Sequence, residues 1–167
     1  HLLTHTSGIT EFPIRVFIPQ ILSILLKGKS RIPHYDYDTE KFLEFTSKLK
    51  LKKNPGNTFS YSNTGVGLEG KILERITNST YEELVKNRIC DTLDMNDTRI
   101  NVLESKQNRL ATGYTNRNKK ADYWKKPAIE SAGSLYSTVF DMLKFLKANL
   151  GLTNTKISTS MKYCYNT

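Results

Sequence analysis

The sequence contains Pro55-Gly56-Asn57-Thr58-Phe59-Ser60-Tyr61-Ser62-Asn63-Thr64-Gly65, a proline-glycine turn that leads into Tyr-Ser-Asn and then into small residues. Pro55 presets its φ angle and Gly56 accepts conformations that a side chain would forbid, so the backbone can reverse direction here. Residues two apart in an extended segment project to the same side of the chain. We therefore expect Tyr61 and Asn63 to place a phenol and a carboxamide side by side on one polar wall.

Helices are predicted on both sides of this stretch, because apolar residues recur there at helical spacing. The predicted helices are Ile14 to Gly28, a helix capped by Asp38 or Thr39, Thr64 to Thr77 ended by Asn78, a helix that starts at the capping box Thr80-Tyr81-Glu82-Glu83, and a helix from Thr138 to Gly151. The expected buried faces carry Val66, Leu68, Ile72, Leu73 and Ile76 in the third helix, and Val139, Met142, Leu143, Leu146 and Leu150 in the last.

The segments between these helices are expected to be short and irregular. Asp91 to Thr98 is predicted as a loop whose apolar pair inserts into the core, and Ala111 to Lys126 as a short strand pair or an irregular excursion. A chain of 167 residues with 38% hydrophobic content can build one domain with a proper core, so residues 1–167 are predicted to form a single domain.

Membrane and export signals are not evident in the sequence. The longest apolar run, Ile14 to Leu26, is too short and too polar to cross a bilayer. The chain does not begin with Met and does not open with the residue series of a signal peptide, so we expect it to begin inside a gene. The sequence leaves the compartment and the oligomeric state open.

The chain is basic, with 25 Lys and Arg against 16 Asp and Glu and a formal net charge of +9. Such a charge raises the question of a nucleic-acid or anionic-lipid partner. The positive residues are scattered, and the densest groups, Lys48 to Lys53 and Arg117 to Lys120, have no nucleic-acid-binding motif beside them. The pattern favours a solvated basic surface over a specific nucleic-acid site.

Polar residues at the start of the chain allow two readings. His1 and His5 have the i, i+4 spacing of a zinc-protease helix, but Leu2 stands where the glutamate is required, so no metal site is expected. His5 and Ser7 could be a base and a nucleophile, although sequence proximity alone does not make a catalytic triad. The preferred reading is a helix end closed by polar residues before Gly8.

Two further patterns are expected to carry no chemistry. Ser47 to Lys50 is a literal S-x-x-K, which arises easily by chance in a Lys-rich segment. Cys90 and Cys164 are far apart and belong to no C-x-x-C pattern, so neither a metal site nor a redox pair is predicted.

Four motifs in order resemble the serine β-lactamase-related group, which includes class C β-lactamases, D-alanyl-D-alanine carboxypeptidases and related esterases. They are His1-Leu-Leu-Thr-His-Thr-Ser-Gly8, Pro55-Gly56 with Phe59 to Gly65, Leu93-Asp94-Met95-Asn96-Asp97-Thr98, and Ala132 to Thr138 with Asp141. The resemblance implies a mixed α/β enzyme of the β-lactamase/transpeptidase-like fold. Residues 1–167 would form a partial domain, mainly its helical region, and most of the antiparallel sheet would come from sequence outside this chain.

The resemblance also implies acyl transfer through a serine ester, without a metal or cofactor. In the group, a serine in S-x-x-K attacks the carbonyl and the lysine helps to remove its proton. Tyr61 would be the catalytic phenol that accepts the proton of the nucleophile, and Asn63 would bind the substrate amide. A free phenol has a pKa of about 10, so Tyr61 can act as a base near neutral pH only beside cations that favour its anion.

The sequence departs from the group in two motifs. An S-x-x-K upstream of the first motif and a K-T-G or H-x-G downstream of the last have no match in position. We therefore expect a segment of a serine hydrolase for β-lactam, D-Ala-D-Ala peptide or ester substrates that has no turnover alone. The alternative is a non-catalytic binding or scaffold remnant. Group members are usually periplasmic, secreted or membrane-associated, and helices that normally cover a sheet are expected to expose apolar faces without it.

Overall fold

The computed structural model describes residues 1–9, 38–51, 53–115, 118–121, 123 and 127–165. The predicted helix from Ile14 to Gly28 lies outside the described residues. Backbone contacts group the chain into two units, one formed by His1–Leu73 with Thr112–Ser134 and the other by Glu74–Ala111 with Leu135–Thr167. Each unit is described separately below.

The first helix of the first unit is α1, Thr39–Ser47. Asp38 caps it as predicted, because its Oδ1 accepts the backbone N–H of Lys41 at 2.8 Å. Phe42 on this helix has no exposed surface and packs in a small core with Ala128 and Ile129. The helix ends at Ser47, so the literal S-x-x-K of the sequence runs out of the helix instead of lying on one face of it.

Helix α2 spans Asn63–Thr77 and follows the Tyr-Ser-Asn stretch directly. Ser62 precedes it, and the Ser62 Oγ accepts the backbone N–H of Gly65 at 3.0 Å. Ser62 is therefore the N-cap, and the helix starts one residue before the predicted Thr64, because Asn63 already lies in its first turn. The helix ends as predicted before Asn78, whose φ of 50° is left-handed.

The predicted buried face of α2 is partly wrong. The buried residues of this helix are small, namely Thr64, Gly65, Gly67 and Gly70. Ile72, Leu73 and Ile76 are exposed instead. The reason is close packing on the glycine side, where an added Cβ at Gly67 would lie 2.8 Å from the Cβ of Ile129.

The last elements of the first unit are a short antiparallel strand pair and a 3-10 helix. Strand β1, Gly113–Tyr114, pairs with β2, Lys120–Ala121, and Gly113 lies opposite Ala121. This agrees with the strand pair predicted for the segment. A 3-10 helix, Pro127–Ala132, follows. The Ser131 hydroxyl donates to the carbonyl oxygen of Val66 at 2.8 Å, which holds this turn against α2.

The second unit starts with a helical segment of mixed geometry. Helix α3, Tyr81–Val85, begins with the predicted capping box, passes into a π-helical turn, Lys86–Cys90, and continues as α4, Asp91–Leu93. The loop predicted from Asp91 therefore begins only after Leu93, where Asp94 turns left-handed with φ 56°. Leu93 and Met95 are both buried, as expected for the apolar pair.

The remaining elements of this unit are a 3-10 helix, Glu104–Arg109, helix α5, Val139–Asn149, and helix α6, Ser158–Tyr163. Thr138 caps α5 as predicted, and Gly151 follows its end with positive φ. The core of the unit consists of Val85, Cys90, Leu93, Met95, Ala148 and Met161. Among the helices that the structure describes, none is long and apolar enough to cross a bilayer.

The predicted buried face of α5 is wrong. Its buried residues are Asp141 and Ala148. Val139 and Phe140 are 74% and 78% exposed. The other large apolar residues of the predicted face are at least partly exposed as well, namely Met142, Leu143, Leu146 and Leu150. Helical spacing identifies an apolar stripe, but it does not show which side of the helix packs within the unit. Here α5 packs through the side that carries the buried Asp141 carboxylate. The exposure agrees with the expectation of uncovered helix faces.

Candidate functional site

Tyr61 and Asn63 lie side by side at the start of α2. The Tyr61 Oη donates a hydrogen bond to the Asn63 Oδ1 at 3.2 Å. The Tyr61 side chain is 56% exposed, whereas Ser62 between the two is buried. The alternation places both candidate residues on the accessible side of the chain and the capping serine on the inner side.

The segment before Tyr61 is held against the first residues of the chain. The backbone N–H of Ser60 donates to the carbonyl oxygen of His5 at 2.7 Å, and the N–H of Gly56 donates to that of Thr6 at 2.7 Å. Gly56 has a φ of 93°, as the predicted turn requires. The first and second sequence motifs therefore form one structural unit, although residues 9–54 lie between them in the sequence.

His5 makes three side-chain contacts with this segment. Its Nδ1 accepts the backbone N–H of Ser62 at 3.2 Å. Its ring lies against the Tyr61 ring, with centroids 4.5 Å apart and a tilt of 37°. The ring of Phe59 meets it edge-on at 5.7 Å. The imidazole is thus surrounded by the two aromatic rings and the N-terminus of α2.

Neither the zinc-site reading of His1 and His5 nor the base–nucleophile reading of His5 and Ser7 is supported by the structure. Residues 2–5 form a turn, and His5 has a left-handed φ of 54°, so His1 and His5 do not share a helix face. The His1 Nδ1 contacts the Thr6 hydroxyl at 3.0 Å, and the Ser7 Oγ accepts the N–H of Ile9 at 3.3 Å. Within the described residues, no group of three His, Cys, Asp or Glu side chains could hold a metal ion.

The other candidate serine is also engaged locally. The Ser47 hydroxyl donates to the carbonyl oxygen of Glu44 at 2.8 Å, and Lys48 pairs with the Glu44 carboxylate at 2.5 Å. Such back-bonding to the preceding turn is the usual role of a serine near the end of a helix. The S-x-x-K match thus has a structural explanation.

The third and fourth sequence motifs meet in the second unit through Asp141. Its carboxylate accepts hydrogen bonds from the backbone N–H of Asp97 and the hydroxyl of Thr98, both at 2.8 Å. The hydroxyls of Thr98 and Ser137 are 2.7 Å apart. Sequence reasoning placed these residues in motifs but did not anticipate their contact. The only sequence signal for this contact was that both motifs belong to the four that resemble the β-lactamase-related group.

Asp97 itself is paired with two cations. Its carboxylate contacts the Lys106 ammonium, and it accepts from the Arg109 guanidinium at 2.9 Å. The hydrogen bond from Arg109, supported by the one from Lys106, lowers the pKa of Asp97 from 3.8 to about 2. These residues form a structural network within the second unit, so two of the four motifs serve the fold.

Sequence comparison identifies relatives along nearly the whole chain. The family model for Beta-lactamase matches residues 1–163. A β-lactamase of Escherichia coli (strain K12) is 26% identical over 151 residues, which cover 90% of this chain and 35% of the relative. A β-lactamase of Psychrobacter immobilis is 32% identical over 92 residues, which cover 55% of this chain and 23% of the relative.

Solved structures give the same result for the fold. A β-lactamase/D-alanine carboxypeptidase from Pseudomonas syringae superposes with a TM-score of 0.75 at 25% identity, covering 96% of this chain and 40% of that one. A class C β-lactamase superposes with a TM-score of 0.76 at 20% identity and equal coverage, 96% and 40%. The predicted β-lactamase fold is confirmed, and the described residues, mainly helices with a two-stranded sheet, agree with its helical region.

The chain matches only part of its relatives, although nearly all of the chain is matched. The chain spans about a third of the length of the curated relatives, as the 35% covered in the Escherichia coli protein illustrates. The family model nevertheless covers the chain almost from end to end. The chain belongs to the β-lactamase family, the serine β-lactamase-related group that its motifs indicate.

Proposed function

We propose that this chain supplies one wall of a serine hydrolase site, in which Tyr61 exchanges protons with the nucleophile and Asn63 binds the substrate amide. The observation that carries the proposal is the hydrogen bond of 3.2 Å between the exposed phenol and the carboxamide, on a segment held by the start of the chain. Residues 1–167 with both of their units would be part of one family domain.

The chemistry assigned to Tyr61 follows from the acyl-enzyme reaction. As a serine oxygen forms its bond to the substrate carbonyl carbon, its proton passes to the phenolate oxygen of Tyr61. The same proton then passes to the leaving nitrogen or oxygen as the bond to the carbonyl carbon breaks. A water molecule repeats both steps on the ester and frees the serine. The phenolate is therefore regenerated at the end of each half-reaction.

The orientation of the Asn63 carboxamide must depend on whether Tyr61 is a neutral phenol or a phenolate. The hydrogen bond described above belongs to the neutral phenol, which donates to the Asn63 Oδ1 and leaves the Nδ2 donors directed elsewhere, as binding a substrate carbonyl oxygen requires. A phenolate accepts and does not donate. The carboxamide would then present its Nδ2 to the phenolate oxygen, so one side chain can serve the substrate and the base in turn.

We propose that the substrate is a β-lactam, a D-Ala-D-Ala peptide or a simple ester, which share an acyl group on a leaving nitrogen or oxygen. One relative is described as a β-lactamase/D-alanine carboxypeptidase, which makes the peptide a necessary member of any assay panel. The chain alone is proposed to be inactive, because a phenol without a nucleophile and a lysine has no proton to accept at neutral pH.

The test compares this chain with the full-length product of the gene that encodes it, using nitrocefin, a p-nitrophenyl ester and a D-Ala-D-Ala peptide. We expect turnover only from the full-length product, and we expect Tyr61→Phe to lower its kcat by about 10²-fold. Tyr114→Phe, another exposed tyrosine on β1, is the matched control and should change nothing. Turnover by the chain alone that Tyr61→Phe abolishes would refute the proposed inactivity. An unchanged kcat in the full-length Tyr61→Phe variant would refute the role of Tyr61. A full-length product without turnover on all three substrates would favour the binding or scaffold alternative.

A further inference from the structure

His5 contacts Tyr61 and both of its neighbours in the sequence. Its backbone carbonyl accepts the N–H of Ser60 at 2.7 Å, and its Nδ1 accepts the N–H of Ser62 at 3.2 Å. Between these two bonds its ring lies against that of Tyr61 with centroids 4.5 Å apart. The backbone is therefore fixed on both sides of Tyr61, and the Tyr61 ring is fixed in the middle.

We infer that His5 is a positioning residue for the Tyr61 phenol and acts as the neutral tautomer that carries its proton on Nε2. The inference rests on the proposed function of Tyr61. The tautomer follows from the bond with Ser62, because a backbone N–H can donate only to a ring nitrogen with a lone pair. Neither the Nδ1–H tautomer nor the imidazolium could accept this bond, since both carry a hydrogen on Nδ1.

The contact with Ser62 also links His5 to Asn63. Ser62 caps α2 through its Oγ and Asn63 is the first residue of the helix, so the imidazole is attached to the point where the helix starts. Holding the Ser62 N–H fixes the direction of the chain between the phenol and the carboxamide. The hydrogen bond from Tyr61 to Asn63 then forms with a smaller loss of conformational freedom, because the Tyr61 ring and the backbone are already held.

The backbone of His5 supports the same assignment. Its φ of 54° lies in the left-handed region, which is unfavourable for a residue with a side chain. The bonds from Thr6 N–H to the His1 carbonyl at 2.9 Å and from Ser60 N–H to the His5 carbonyl hold this conformation. The conformation directs the imidazole at the Tyr61 segment and makes Asn a well-tolerated replacement that keeps a hydrogen-bond acceptor, since Asn adopts positive φ more readily than most residues with a side chain.

Two substitutions separate the roles of the ring. His5→Phe keeps an aromatic ring beside Tyr61 but cannot accept the Ser62 N–H. His5→Asn keeps an acceptor near the position of Nδ1 and tolerates the positive φ. In the full-length product we expect His5→Phe to lower kcat by about tenfold with KM unchanged, and His5→Asn to recover most of that loss.

The decisive kinetic readout is the double variant. If His5 acts through Tyr61, His5→Phe combined with Tyr61→Phe loses no more than Tyr61→Phe alone. Multiplicative losses would mean that His5 only supports the fold, and they would refute the inference. If Tyr61→Phe is inactive but His5→Phe has normal kcat, the positioning role fails and the proposed function of Tyr61 stands.

A second measurement requires no activity. In ¹⁵N NMR spectra of this chain at pH 7.5, His5 should show a protonated Nε2, an unprotonated Nδ1 and a coupling from the Ser62 amide to Nδ1. His5→Asn assigns the signals among the three histidines. A protonated Nδ1, or a Ser62 amide that exchanges with solvent as fast as an exposed one, would refute the inference. An unchanged kcat in Tyr61→Phe together with the expected tautomer would refute the proposed function and the positioning role that rests on it.

Discussion

The Asp141 carboxylate accepts the backbone N–H of Asp97 at 2.8 Å across 44 residues of sequence. Asp141 is 4% exposed and also accepts from the Thr98 hydroxyl at 2.8 Å. A buried carboxylate is tolerated only when it is paired. Here the backbone donor and the side-chain donor both reach Oδ2, and the Lys144 ammonium lies 3.9 Å from Oδ1. The pair therefore joins the turn after α4 to the first turn of α5.

Asp141→Ala should destabilise the chain strongly. The substitution removes the acceptor of the part-buried Asp97 N–H, and a buried donor left without an acceptor costs about 1 to 3 kcal/mol. It also removes one of the two partners of the Thr98 hydroxyl, which keeps the Ser137 hydroxyl. Urea denaturation should show a lower transition midpoint. Glu44→Ala is the control, because its pair with Lys48 is exposed and solvent screens it, so it contributes little to stability. Equal midpoints for the two variants would contradict the structural role of Asp141.

Stability should fall in strong acid through Asp97. Its pKa is lowered from 3.8 in the unfolded chain to about 2 in the folded chain, first by the hydrogen bond from Arg109 and then by that from Lys106. A group with a lowered folded pKa stabilises the fold above its unfolded pKa. The contribution of Asp97 is therefore complete above about pH 4 and is lost as the pH falls to about 2.

Asp97→Asn tests this assignment, because the amide does not titrate. The variant should be less stable than the parent at pH 7, and the difference should shrink between pH 4 and pH 2. Urea midpoints measured at intervals of half a pH unit provide the comparison. A difference that stays constant across this range would show that the ion pairs with Lys106 and Arg109 do not form.

Gly67→Ala should destabilise the first unit. A Cβ at this position would overlap the Ile129 side chain, whose Cβ would be 2.8 Å away, and overpacking of this kind costs about 1 to 3 kcal/mol. Gly65→Ala on the same helix is the matched control, because its nearest neighbour would be the Ser62 Oγ at an ordinary 3.5 Å. Thermal unfolding should give a lower Tm for Gly67→Ala only. A raised Tm for both would mean that α2 and Ile129 do not pack closely.

The two cysteines should differ in reactivity. Burial raises the pKa of the Cys90 thiol, and the negative charge of Asp141 adds to the effect, so little thiolate is present at pH 8. Cys164 is exposed. Labelling with a maleimide should therefore modify Cys164 at least about tenfold faster. Cys164→Ser should remove the fast phase, and a fast phase that survives in this variant would contradict the burial of Cys90.

Local features of the sequence were predictable because they depend on neighbouring residues. Asp38 and Thr138 cap their helices through the third backbone N–H beyond them, and the strand pair after Ala111 spans only a few residues. The predicted start of α2 at Thr64 was late by one residue, because Ser62 and Asn63 are both good capping residues and sequence alone does not place the first helical turn.

By itself, the sequence determined the helix caps at Asp38 and Thr138, the turn at Gly56 and the spacing that sets Tyr61 beside Asn63, since each follows from a few adjacent residues. Only the tertiary structure decided that His5 faces Tyr61 and that Asp141 reaches Asp97, contacts that span 57 residues for the His5 bond to Ser62 and 44 for Asp141. It also decided which sides of α2 and α5 are buried. Helical periodicity defines an apolar stripe, but burial depends on what distant segment packs against it, and no local preference encodes that choice.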